Sequence, residues 1–128
     1  IDVLLVEDKE ALREALSETL RNHGLAVEAC ADTYEAKRAL ARASFGVVLT
    51  DLKLPAGSGF DVLAAALKAG PETDVIVMTA FGSIEDAVRA IREGASDFLT
   101  KPVDTDHLLL LIDRAIDRRR LKRRAFLL

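Results

Sequence analysis

The chain has 128 residues, 50% of them hydrophobic and 30% charged, which is enough for one domain with a sizeable core. A single cysteine and two distant histidines exclude an internal disulfide framework and a Cys/His zinc site, and a net charge of -3 gives the body no electrostatic reason to bind nucleic acid. No apolar run reaches the roughly 18–20 residues of a membrane span, and no basic start leads into an apolar signal segment, so cytoplasm is the expected compartment. The chain opens at Ile1 rather than methionine, and the expectation is a trimmed chain or a piece of a longer protein.

In chain order, residues 3–7 (VLLVE) form a short apolar run of the buried-strand type. Leu12, Ala15, Leu16 and Leu20 then share one helix face, closed by His23-Gly24 in the manner of a glycine cap. A second strand is expected over 25–30 (LAVEAC), followed by a helix with Ala36, Ala39, Leu40 and Ala43 on one face. The third strand, 46–50 (GVVLT), delivers Asp51 at its end. The segment 55–59 (PAGSG) reads as a flexible loop, before a helix carrying Val62, Leu63, Ala66 and Leu67. Gly70-Pro71 marks a loop before the fourth strand, 74–79 (DVIVMT). Ser83 is placed as the N-cap region of a helix whose shared face holds Ile84, Ala87, Val88 and Ile91, and Glu93-Gly94 ends it. A short fifth strand, 97–100 (DFLT), precedes Lys101-Pro102. Thr105 lies in the N-cap region of a last helix that begins near Asp104 and runs past Arg118.

Strands alternating with helices imply right-handed βαβ units and a parallel sheet covered on both faces. Five such units predict one doubly wound α/β domain. In open sheets of this kind ligands bind beyond the carboxyl ends of the strands. The first strand delivers Glu7-Asp8 there, the third Asp51, the fourth Thr79-Ala80 and the fifth Thr100-Lys101-Pro102; the second delivers Cys30-Ala31-Asp32. Three carboxylates, a hydroxyl and an ammonium are thus expected to converge on one edge. Carboxylates so close repel unless a cation is present, and an all-oxygen set suits Mg²⁺. With Mg²⁺ bound the three carboxylates keep a charge near -1, which Lys101 offsets. Such a pocket can stabilise a phosphoryl group in transfer.

The motifs LLVED, LTDLKLP, VMTAFGS and DFLTKP, in this order and spacing, resemble the signature of two-component response-regulator receiver domains, over residue 3 to about 118. The resemblance implies the (βα)5 flavodoxin-like, CheY-like fold with strand order 2-1-3-4-5. It implies Asp51 as the acceptor of a phosphoryl group from a sensor histidine kinase. Glu7, Asp8, Asp51 and the backbone carbonyl of Lys53 would hold Mg²⁺. Thr79 would be the switch hydroxyl, Phe98 the aromatic switch position and Lys101 the phosphate-contacting lysine, with a cis Lys101-Pro102 bond. Phe98 lacks the hydroxyl of the tyrosine common at this place. A regulatory domain is implied, with no turnover beyond its own phosphorylation and slow dephosphorylation. Phosphorylation would remodel the surface of the fourth helix, fifth strand and fifth helix, a candidate homodimer face along with the extended last helix. Phe81, beside the pocket, would shield the acyl phosphate from water and prolong its life.

The segment 79–102 resembles the receivers of NtrC-like transcriptional activators, in which an AAA+ ATPase and a DNA-binding domain follow. Neither is present here: no G-x-x-x-x-G-K-[ST] loop occurs. Residues 1–118 are accordingly expected to be the receiver and 119–128 a basic helical extension toward an output domain. Seven Arg/Lys against two Asp fall between Asp113 and Arg124, which suits a helix C-terminus. Direct nucleic-acid contact by this tail is not expected. A standalone phosphorelay receiver and a small Mg²⁺-dependent phosphotransfer enzyme are the alternatives. Phosphatases with a comparable Asp nucleophile need a second aspartate two residues on, where this chain has Lys53.

Overall fold

A computed structural model of the chain describes residues 2–80 and 83–127. Five strands build the main sheet: β1 (Asp2–Val6), β2 (Ala26–Cys30), β3 (Val47–Asp51), β6 (Asp74–Thr79) and β7 (Asp97–Thr100). Two two-residue strands, β4 (Lys53–Leu54) and β5 (Gly57–Ser58), pair as a small antiparallel ribbon. The helices are α1 (Glu10–Asn22), α2 (Thr33–Arg42), α3 (Gly59–Ala69), α4 (Ile84–Arg92) and α5 (Thr105–Leu127). The sheet order is β2-β1-β3-β6-β7, all parallel. The five-strand expectation did not count the ribbon, so the last two sheet strands are the sixth and seventh of the chain.

Strands buried on both faces read as unbroken apolar runs because alternate residues serve opposite layers. Val3 and Leu5 join Val47, Leu49, Ile76 and Met78 in a core closed by α1 and α5. Leu4 and Val6 join Val48, Val75 and Val77 under α2 and α3, with Ala90 of α4. Cys30 lies in this second core. Burial, and then the carboxylates of Glu35 and Glu28, push its thiol up to about 11, so it is protonated and unreactive at neutral pH.

Leu108, Leu111 and Ile112 of α5 are buried and Leu110 is exposed, as expected of an aliphatic run too long for one face. Several other local expectations change. In α4 the small residues Ala87 and Ala90 face the core, while Ile84, Val88 and Ile91 are exposed. Asp104, not Thr105, caps α5: its Oδ1 accepts from the backbone N–H of Asp106 at 2.9 Å. Asp32 caps α2 through Glu35 N–H, and Glu35 answers by accepting from Ala31 N–H. The stretch expected to be a flexible loop, 55–59, instead forms the turn and second strand of the ribbon and the first residue of α3. Asp61 fastens it by accepting from Ser58 N–H.

α5 continues through 118–119 without a break. Arg118 donates to Asp74 Oδ1, which also accepts from Ser96, so the helix is pinned where β6 begins. No helix among the described residues is long and apolar enough to cross a membrane.

Candidate functional site

The central strands β1 and β3 run side by side in register and end together. Parallel pairing therefore brings Glu7, Asp8 and Asp51 to one edge. One carboxylate oxygen from each lies within 4.8 Å of the others. Glu7 is fully buried, Asp51 nearly so, and Asp8 is exposed.

Lys101 follows the edge strand β7, and its backbone N–H donates to Thr79 O at 2.8 Å. Its ammonium donates to Glu7 Oε1 at 2.6 Å and also to Asp51 Oδ2. The Lys101–Pro102 peptide bond is cis. The remaining oxygens of these two acids are taken by the backbone: Lys9 N–H donates to Glu7 Oε2 and Lys53 N–H to Asp51 Oδ1. Asp8 makes no side-chain hydrogen bond or ion pair among the described residues.

Burial pushes the Glu7 carboxyl above its ordinary 4.5, against the hydrogen bonds from Lys101 and Lys9. Burial also opposes the Lys101 ammonium, yet its bonds to Asp51 and Glu7 prevail and carry it above 10.5. Lys101 therefore stays cationic throughout the neutral range and offsets part of the carboxylate charge. Three hard oxygen donors with no sulfur or imidazole among them fit a divalent cation such as Mg²⁺.

Not every expected residue meets the cluster. Thr79 is buried, but its hydroxyl donates to Leu99 O at 3.5 Å and does not reach Asp51. Phe98 faces outward at 39% exposure. Asp32 is taken up in capping α2. The Lys53 side chain is exposed. Phe81 lies outside the described residues.

Two residues near the cluster escaped the sequence reading as site elements. Gly59 presses its backbone on the strand end that carries Asp51: a β-carbon there would lie 2.1 Å from Asp51 O. Its N–H donates to Leu52 O. A glycine a few residues beyond a strand-end aspartate was the available signal. Arg13, on the first turn of α1, donates from Nη1 to Glu7 O at 3.0 Å and to Asp8 O at 3.2 Å. Nothing in sequence separates it from a solvated helix arginine.

Comparison with known proteins agrees with this geometry. The family model described as response regulator receiver domain matches residues 3–113. The chain is 41% identical over 113 residues to the response regulator protein PilR of Pseudomonas aeruginosa, covering 88% of this chain and 25% of that protein. It is 35% identical to the C4-dicarboxylate transport transcriptional regulatory protein DctD of Rhizobium meliloti, over 93% of this chain and 26% of that one. It thus spans about a quarter of the length of these NtrC-like relatives. Among solved structures, NtrX from Brucella abortus superposes with a TM-score of 0.90 at 32% identity, over 97% of this chain and 29% of that chain. A receiver domain protein from Clostridium thermocellum superposes at 0.88 and 32%, over 94% and 97%. With a family match over most of its length, and a strand-end acidic cluster bridged by a lysine, the chain belongs to the response regulator receiver domain family, among the NtrC-like regulators.

Proposed function

We propose that the chain is the phosphorylation-controlled switch of a transcription activator, with Asp51 as acceptor. The observation that carries this reading is the joining of Asp51 to Glu7 and Asp8 in one cluster, with Lys101 bonded to both Asp51 and Glu7. A carboxylate oxygen of Asp51 attacks the phosphorus of a kinase phosphohistidine. The P–N bond breaks, imidazole leaves and an aspartyl phosphate forms. Glu7, Asp8, Asp51 and the Lys53 carbonyl would hold Mg²⁺, which when bound neutralises the carboxylates and the incoming phosphoryl oxygens. Lys101 moves its contact from Asp51 to a phosphoryl oxygen.

The modification adds about -1.5 to -2 charges at Asp51. Thr79, whose hydroxyl makes a long hydrogen bond to Leu99 O, turns to donate to the new oxygens, and Phe98 swings in from its exposed position. Lys53, two residues beyond the acceptor, is no acid, which disfavours turnover of a phosphatase kind. Labelling with acetyl phosphate and Mg²⁺ tests the assignment. Wild type is expected to take up about one phosphoryl group per chain and Asp51→Asn none. Wild-type labelling of the variant would remove Asp51 as acceptor, and sustained phosphate release would favour the enzyme reading.

Residues 1–118 would form the receiver and 119–128 the extension toward an AAA+ and DNA-binding output, in the cytoplasm, with a sensor histidine kinase as donor. Ile84, Val88 and Ile91 of α4, Phe98 of β7 and Leu110 of α5 are exposed around the β7 edge. Apolar exposure of this extent suits a second copy of the chain. Sedimentation with beryllofluoride and Mg²⁺ is expected to show a dimer where the untreated chain is monomeric; an unchanged monomer would eliminate this face as a phosphorylation-dependent interface.

A further inference from the structure

We propose that Arg13 is a positioning residue, which holds the β1–α1 turn so that the Asp8 carboxylate is presented to the metal. The inference rests on the Mg²⁺ reading of the acidic cluster given above. Glu7 and Asp51 are each aimed by hydrogen bonds to both carboxylate oxygens. Asp8 has no such partner among the described residues, and its side chain is exposed. Where that carboxylate points is therefore set by the backbone that carries it.

That backbone is held from α1. Among the described residues, neither Glu7 O nor Asp8 O accepts a backbone N–H. Both accept from the same guanidinium nitrogen, Arg13 Nη1, whose two hydrogens can serve two acceptors in a fixed plane. Arg13 is itself fixed by the helix, its N–H donating to Lys9 O at 2.9 Å. Lys9 N–H in turn donates to Glu7 Oε2. The turn is thus tied at Glu7, Asp8 and Lys9, and Arg13 makes two of the ties. Partners that orient metal ligands typically contribute about 10–100-fold to metal affinity.

Charge alone predicts the opposite sign. A guanidinium behind the acidic cluster repels a divalent cation, so its removal would tighten binding if Arg13 acted only through its field. Loss of positioning weakens binding.

The test is Mg²⁺ titration of the apo chain by calorimetry and by amide NMR shifts, for wild type, Arg13→Met and Arg13→Lys. Thermal melts confirm that each is folded at the titration temperature. Arg13→Met is expected to raise the Mg²⁺ dissociation constant about tenfold, at the low end of the range for such partners. Arg13→Lys, whose ammonium keeps the charge but loses the planar fork, is expected to fall between the two. Faster amide exchange at Asp8 and Lys9 in metal-free Arg13→Met is the accompanying sign. A lower melting temperature with an unchanged or tighter dissociation constant would overturn the proposal and leave the Mg²⁺ site standing. Failure of wild type to bind Mg²⁺ would overturn both.

Discussion

Gly59→Ala is expected to lower stability by about 3 kcal/mol or more, or to prevent folding, although it adds one methyl group to a ribbon-to-helix junction. The new β-carbon would stand 2.1 Å from Asp51 O and 2.6 Å from Leu52 Cα. Both neighbours are backbone, and neither can step aside without moving the end of β3. The hydrogen bond from Gly59 N–H to Leu52 O would be strained by the same movement. Gly24→Ala is the control. Gly24 has φ +86 and nothing within 4 Å of an added β-carbon, so only the left-handed backbone counts against it, at about 1–2 kcal/mol. Denaturant unfolding of the two variants measures the difference. Equal losses would mean that the close approach of α3 to the Asp51 strand end is not what requires glycine at 59. A folded Gly59→Ala chain should also label poorly with acetyl phosphate, because the displaced segment carries Asp51, the proposed acceptor.

The sheet was legible because each central strand is a continuous apolar run, and two-sided burial leaves no other use for such a run. The adjacent ends of β1 and β3 then placed Glu7, Asp8 and Asp51 together, and Lys101 reaches the same edge of the sheet from β7, two strands over from β3. Three things lay beyond that reading. The ribbon has two residues per strand, too few for any periodicity, and its turn depends on Ala56 at φ 56, a position few residue types announce. In α4 the spacing put Ile84, Ala87, Val88 and Ile91 on one inward face, but the helix is seated on Ala87 and Ala90 and leaves Ile84, Val88 and Ile91 outside. Small side chains permit close approach to the sheet, and a stripe wider than the contact cannot all be covered. The third is direction. Sequence places Thr79 at a strand end, but whether its hydroxyl addresses Leu99 O or Asp51 is a matter of rotamer and state. Likewise it brings Lys101 to the acids without saying that one ammonium joins Glu7 to Asp51.

That ammonium is the subject of the second large effect. Lys101→Met is expected to lower stability by about 2–4 kcal/mol and to abolish or nearly abolish the proposed response of Thr79 and Phe98 to phosphorylation. Glu7 is fully buried, and Lys101 is the only cationic partner of its carboxylate among the described hydrogen bonds. Removing Lys101 leaves a buried charge with one backbone N–H, from Lys9, beside Asp8 and Asp51. The Lys101 side chain retains 21% exposure, which keeps the expected cost below that of a wholly buried pair. Glu7→Gln is expected to change stability by less than about 1 kcal/mol. Its amide oxygen still accepts from Lys9, Lys101 keeps Asp51, and one of three mutually repelling carboxylates is gone. The double variant should therefore be more stable than Lys101→Met alone, a coupling a double-mutant cycle reads directly. The deficit should also depend on pH. Glu7 is already raised above 4.5 by burial, and without Lys101 it rises further. A carboxyl raised in the folded state binds protons there more tightly than in the unfolded chain. Its destabilising effect is thus present at neutral pH and shrinks as pH falls through the folded value. The difference between Lys101→Met and wild type, followed by urea unfolding from pH 8 down to pH 5, should narrow. A constant difference, or a double variant less stable than Lys101→Met, would show that the ammonium does not act by compensating Glu7.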